Sequence, residues 1–177
     1  MSQLRDTALM LDEHGDNVGC AAAYEELLSS GEVSVEALIA LALVYWETAD
    51  SGIAAAQGIS RDVEHHARRR LEEVLGEAVR RDPTSCEAKL WTMYCRFIMY
   101  DEPRAGIDAS LDSPGRQCEG AFATMWRVGP TARSKVPAAQ AILANPDIRK
   151  TSKGRYIASI IPAALTRLRL EDEREGR

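Results

Sequence analysis

A register of 34 residues runs through the start of this chain and narrows what it can fold into. Displaced by 34 positions, Leu4 falls on Leu38, Ala8 on Ala42, Leu9 on Leu43 and Glu13 on Glu47. Asp16 falls on Asp50, and Ala21 and Ala22 fall on Ala55 and Ala56. A period of roughly 20 to 50 residues marks stacked supersecondary units, each too small to bury its own apolar face. Ala and Leu dominate, whereas only two Phe and three Trp occur, a balance that favours helix over sheet. The expected fold is therefore all-α, built from antiparallel helical hairpins in a repeat array or a helical bundle.

Local signals place about seven helices. Leu4, Ala8 and Leu11 form the stripe of a first helix that Gly15 ends. Asp16 or Asn17 caps a second, with Cys20, Tyr24, Leu27 and Leu28 on one face and Gly31 as its stop. Ser34 caps a third, apolar nearly all round from Ala37, as a helix buried on several sides would be. Ser60 starts a strongly amphipathic helix from Arg61 to about Arg81, closed by Pro83. Ser85 caps the next, which runs to Tyr100. Residues 101–130 look irregular, with a short apolar stretch at Ala121 to Val128. Two last helices follow, one ending at Asn145–Pro146 and one beginning near Thr151 or Ser152, with Pro162 in its middle. The expected organisation is one domain over 1–177: repeat-like hairpins at 1–100, an irregular loop region at 101–130, and C-terminal helices at 131–172 that pack on the array.

The first hundred residues resemble tetratricopeptide repeats. The resemblance rests on Leu4, Ala8 and Leu11, then Gly15–Asp16, then Cys20 and Tyr24, with the family's spacing of twelve between Ala8 and Cys20. A second unit offers Leu38, Leu41, Ala42 and Tyr45, then Leu71, Leu75, Ala78 and Val79, closing with Asp82–Pro83. There the spacing from Ala42 to Leu71 is 29, an insertion of 17 residues. The resemblance implies a scaffold that binds another protein. It places the first helix of each pair along a concave groove, where Arg5, Asp12, Glu13, Glu36, Ile39, Trp46, Glu47 and Trp91 become the candidate partner-binding residues.

Charge and motifs bound the chemistry. The net charge of −5 and pI near 5.3 argue against nucleic acid and permit a basic protein partner. The longest apolar run, Ala37 to Trp46, is about half a membrane span, so no membrane role is expected. The N-terminus shows no leader pattern and no C-x-x-C pair occurs, which suggests reduced thiols and a cytoplasmic location. Phosphate-loop, dinucleotide and nucleophile-elbow motifs are missing from the sequence.

His65 and His66 project about 100° apart on one helix beside Arg68, Arg69 and Arg70, which suits a solvated face better than a metal. Asp12, Glu13 and His14 stand at a helix end, where His14 suits the C-terminal dipole better than the three suit acid–base work. Arg149, Lys150, Lys153 and Arg155 form a basic cluster open to either a solvated or a phosphate-binding reading.

No cofactor, metal or catalytic residue is assigned. The chain reads as a non-enzymatic protein-binding module: an adaptor, a chaperone-like subunit, or an inhibitor of the immunity type. Two alternatives remain. One is an enzyme whose site draws on Asp101, Glu102, Arg104, Asp108, Asp112 and Arg116. The other is a small-molecule sensor with its ligand between helices near Trp126.

Overall fold

The first two helices form because their ends are chemically specified. In the computed structural model, which describes residues 3–31, 33–56, 58–112, 120–128 and 133–175, α1 spans Gln3–Glu13 and stops at Gly15, whose φ is +72°. A residue without a Cβ adopts that conformation at no steric cost. Asp16 then caps α2 (Asn17–Ser29), its Oδ1 accepting from the Gly19 N–H at 2.9 Å. The pair closes tightly, for the Cys20 thiol donates to the Ala8 carbonyl at 3.3 Å, and both residues are fully buried.

Ser34 caps α3 (Val35–Ala49), as its position suggests, through the Ala37 N–H. The all-round apolar surface of α3 has the expected consequence. From Ala37 to Tyr45 every residue but Ala40 is buried, and α2, α5, α6 and α10 pack around it. Next comes α4 (Ser51–Ala56), where Asp50 Oδ1 accepts from the N–H groups of Gly52 and Ile53. It fills part of the 17-residue insertion and leaves α3 to pair with α5 (Arg61–Arg81). Ala67, Leu71, Val74, Leu75 and Ala78 are the buried stripe of α5. Each fully buried Leu or Val there stabilises the fold by about 1.5–3 kcal/mol relative to exposure.

On its outer side α5 carries ion pairs, both within the helix and to a neighbour. Arg70 leaves its own helix to grip Glu25 of α2 with Nε at 3.0 Å and Nη2 at 2.7 Å, while Tyr45 donates to the same carboxylate at 2.7 Å. Arg68 pairs with Glu64, and Arg80 and Arg81 both reach Glu77.

Among the described residues the chain forms ten α-helices and no strand, so all-α is correct and the count of about seven is not. The remaining helices are α6 (Cys86–Tyr100), α7 (Ala105–Asp112), α8 (Ala121–Arg127), α9 (Val136–Ala144) and α10 (Ser152–Glu175). The extra helices, α4, α7 and α8, are six to eight residues long, too short to display a period. Residues 101–130 are therefore not one irregular loop. Asp101 takes the left-handed conformation (φ +52°) that ends α6, and after residues 102–104 α7 begins at Ala105, burying Ile107 and Leu111 on one side. Arg116 and Cys118 lie outside the described residues.

The C-terminal helices join the N-terminal ones through aromatic side chains. Trp91 of α6 meets Phe122 of α8 edge-on, with centroids 4.7 Å apart. Trp46 of α3 meets Tyr156 of α10 at 5.7 Å. Tyr94 touches Trp46, Trp91, Phe122, Trp126 and Tyr156. Such edge-to-face pairs add about 0.5–1.5 kcal/mol each beyond area burial.

Candidate functional site

The residues expected to line a hairpin groove do not share one surface. Asp12, Ile39 and Trp91 are interior, at 0%, 1% and 0% exposure. Burial on several sides of α3 consumes Ile39, and the aromatic cluster consumes Trp91. Trp46 is partly buried in that same cluster. Arg5, Glu13 and Glu36 are exposed.

Asp12 and Glu47 belong instead to an internal clamp. Arg155 Nη2 lies 2.9 Å from Asp12 Oδ1 and 3.0 Å from Glu47 Oε2, and Nη1 donates to the Asp12 carbonyl at 2.7 Å. The Ser152 N–H and hydroxyl both donate to Asp12 Oδ1, at 2.8 and 2.6 Å. Burial alone would lower the Arg155 pKa, but the Glu47 hydrogen bond and the charges of Glu47 and Asp12 outweigh it and hold the guanidinium more firmly protonated than usual.

The neighbouring basic residues are used in the same way. Lys153 reaches Glu87 at 2.9 Å, and Lys150 reaches Asp147 at 2.8 Å. Arg155 and Lys153, with Lys150 also 4.0 Å from Glu13, thus fasten the start of α10 to α1, α3 and α6.

Among the described residues the histidines and thiols show no catalytic pairing. His14 Nδ1 sits 2.7 Å from the Met10 carbonyl at the end of α1, and His66 stands edge-on to Tyr45. Burial pushes the Cys20 and Cys95 thiols up to about 12, so neither is a thiolate at neutral pH. Cys86 is disulfide-bonded, which corrects the expectation that all the cysteines are reduced.

A concave site opens elsewhere, between the end of α6, α7, α8 and α10. Its volume is about 710 Å³. Tyr94, Phe97 and Trp126 form one wall, and Ile160, Ala163 and Ala164 of α10 form the other. The small side chains at 163 and 164 leave room where α10 would otherwise fill it. A second hollow of about 510 Å³ adjoins it and shares Arg104, Asp108, Trp126 and Arg127.

Trp126 is held rigidly at the junction. Its indole N–H donates to Asp108 Oδ1 at 2.7 Å, and the Arg104 guanidinium lies 4.6 Å above its ring. Arg104 Nε reaches the second Asp108 oxygen at 3.3 Å. Arg127 is anchored by the Leu111 carbonyl and by Asp112 at 2.7 Å. Arg167, one turn beyond Ala163 on α10, lines the cleft with no hydrogen bond or ion pair among the described residues.

Asp108, Arg104, Asp112 and Trp126 were visible in the sequence as polar and aromatic stock; Arg127 and Arg167 were not singled out. For Arg167 the early signal is helical phase, because Ile160, Ala164 and Arg167 fall on one side of α10 at three- and four-residue intervals.

No family model, no curated protein and no solved structure matches this chain.

Proposed function

We propose that this chain is a non-enzymatic binding module and that the cleft beside Trp126 is its ligand site. The carrying observation is the combination of an aromatic wall, small residues opposite and an uncommitted Arg167 around about 710 Å³ of space. Sites for small organic ligands fall in the range of about 300–1,000 Å³ and share this make-up, mostly apolar with a few placed polar groups.

In this reading the N-terminal helices are scaffold. The Cys20–Ala8 contact between α1 and α2 supports a tetratricopeptide-like origin for that pair, since it joins the two small positions of the repeat pattern. A protein partner of an adaptor, chaperone-like subunit or inhibitor would enter the same cleft with an apolar anchor. A cytoplasmic location is the part of the proposal that the Cys86 disulfide speaks against, because disulfides persist in oxidising compartments.

The test uses N-phenyl-1-naphthylamine, a neutral probe that fluoresces in apolar sites. The native protein is expected to bind it, and Ala163→Trp, which fills the cleft from an exposed position, is expected to weaken that binding at least tenfold. Equal enhancement by both proteins, or none by either, would sink the reading.

A further inference from the structure

We infer that the cleft selects an organic anion, a planar or chain-like apolar body carrying a carboxylate or equivalent head. The inference rests on the binding reading above and goes further by assigning the ligand's charge. The chain as a whole carries −5, yet three arginines and a single carboxylate line this cleft. What decides the sign is which of these groups is already occupied.

Both Asp108 oxygens are already engaged by donors of the cleft itself. One oxygen accepts from the Trp126 indole and the other from Arg104. A cationic ligand therefore meets one carboxylate whose charge Arg104 already offsets, beside two further guanidiniums that repel it. The neutral groups in the walls are also turned on one another: the Tyr94 and Tyr156 hydroxyls share a hydrogen bond of 2.7 Å, and the Ser159 hydroxyl donates to the Tyr156 carbonyl at 2.7 Å.

The donors, in contrast, are in surplus. A guanidinium has five N–H groups in a fixed fork. Arg104 spends Nε on Asp108, and among the described residues its terminal nitrogens have no hydrogen-bond partner. Arg167 spends none. Two guanidiniums with unused donors beside an aromatic wall match a carboxylate through charge-assisted, bidentate geometry. The ligand's apolar body then lies along Phe97, Trp126 and Ile160, where it excludes water and strengthens the charge contact.

The experiment is displacement of N-phenyl-1-naphthylamine by three competitors of like shape: 1-naphthoate, 1-naphthamide and 1-naphthylmethylammonium. Naphthoate is expected to displace the probe at concentrations at least tenfold lower than the amide, with the ammonium weakest. Arg167→Gln is expected to bring naphthoate within about threefold of the amide, each competitor being scaled to the variant's own affinity for the neutral probe. Arg167 is exposed, so its replacement leaves the fold intact.

Equal displacement by all three competitors, or a preference that Arg167→Gln does not reduce, overturns the assignment of an anion and leaves the cleft as a neutral site. Failure of the native protein to bind the probe at all overturns the cleft reading and this inference with it.

Discussion

Arg155 shows how one side chain ties distant parts of a sequence. Its partners lie 143 and 108 positions away, in α1 and α3. Asp12 is fully buried, and its Oδ2 has no hydrogen-bond partner. A buried carboxylate in that position depends on its cation, because desolvation of an unpaired charge is severe. Arg155→Met should therefore cost about 3–5 kcal/mol in urea unfolding, and adding Asp12→Asn should recover part of the loss. Lys150→Ala, which removes an exposed pair, should change stability by less than about 1 kcal/mol. If Arg155→Met is as mild as Lys150→Ala, the clamp contributes little. Both clusters were visible in the sequence, Asp12 with Glu13 and Arg149 through Arg155, but as separate candidates. That each answers the other is a matter of tertiary placement, which local spacing does not encode.

Helices were legible where their ends and stripes were chemically explicit. Ser34, Ser60 and Ser85 each cap as expected, and α5 and α6 begin and end where the pattern puts them. Short helices were not legible, since α7 shows only Ile107 and Leu111 as a stripe, and two residues do not establish a period.

Glycines inside helices carry different meanings that only neighbours reveal. Gly154, in the first turn of α10, sits so close to the Ile148 carbonyl that a Cβ would lie 1.7 Å from its oxygen. Gly76, inside α5, has no atom within 4 Å of the same position. Gly154→Ala should destabilise by more than about 2 kcal/mol, because the start of α10 must move off the 148–150 turn and strain the Arg155 clamp. Gly76→Ala should stabilise by about 0.5–1 kcal/mol through helix propensity and a less entropic unfolded chain. Thermal melts of the two variants read the opposite signs directly, and a shared sign would contradict the close approach at Ile148.

At the scale of the molecule, the cleft was hard to foresee because its walls come from four helices between Tyr94 and Arg167. The sequence pointed to Trp126 and the acidic and basic residues near it, and it also pointed to a hairpin groove, of whose residues Asp12, Ile39 and Trp91 are buried. The deciding element is the aromatic cluster, which joins α3, α6, α8 and α10 into one core. All three tryptophans belong to it, so their emission reports the union of the N-terminal and C-terminal helices, while far-UV circular dichroism reports every helix.

If the cluster makes the chain one cooperative unit, the two signals should share a single urea midpoint. Phe122→Ala sharpens the test, because it empties the space against Trp91 and should cost about 3–5 kcal/mol. Both midpoints should then fall together by the same amount. Should the dichroism keep its native midpoint while the emission moves, the N-terminal hairpins fold without the rest. The cleft would then sit on a separately unfolding C-terminal layer, and ligand binding would stabilise that layer alone.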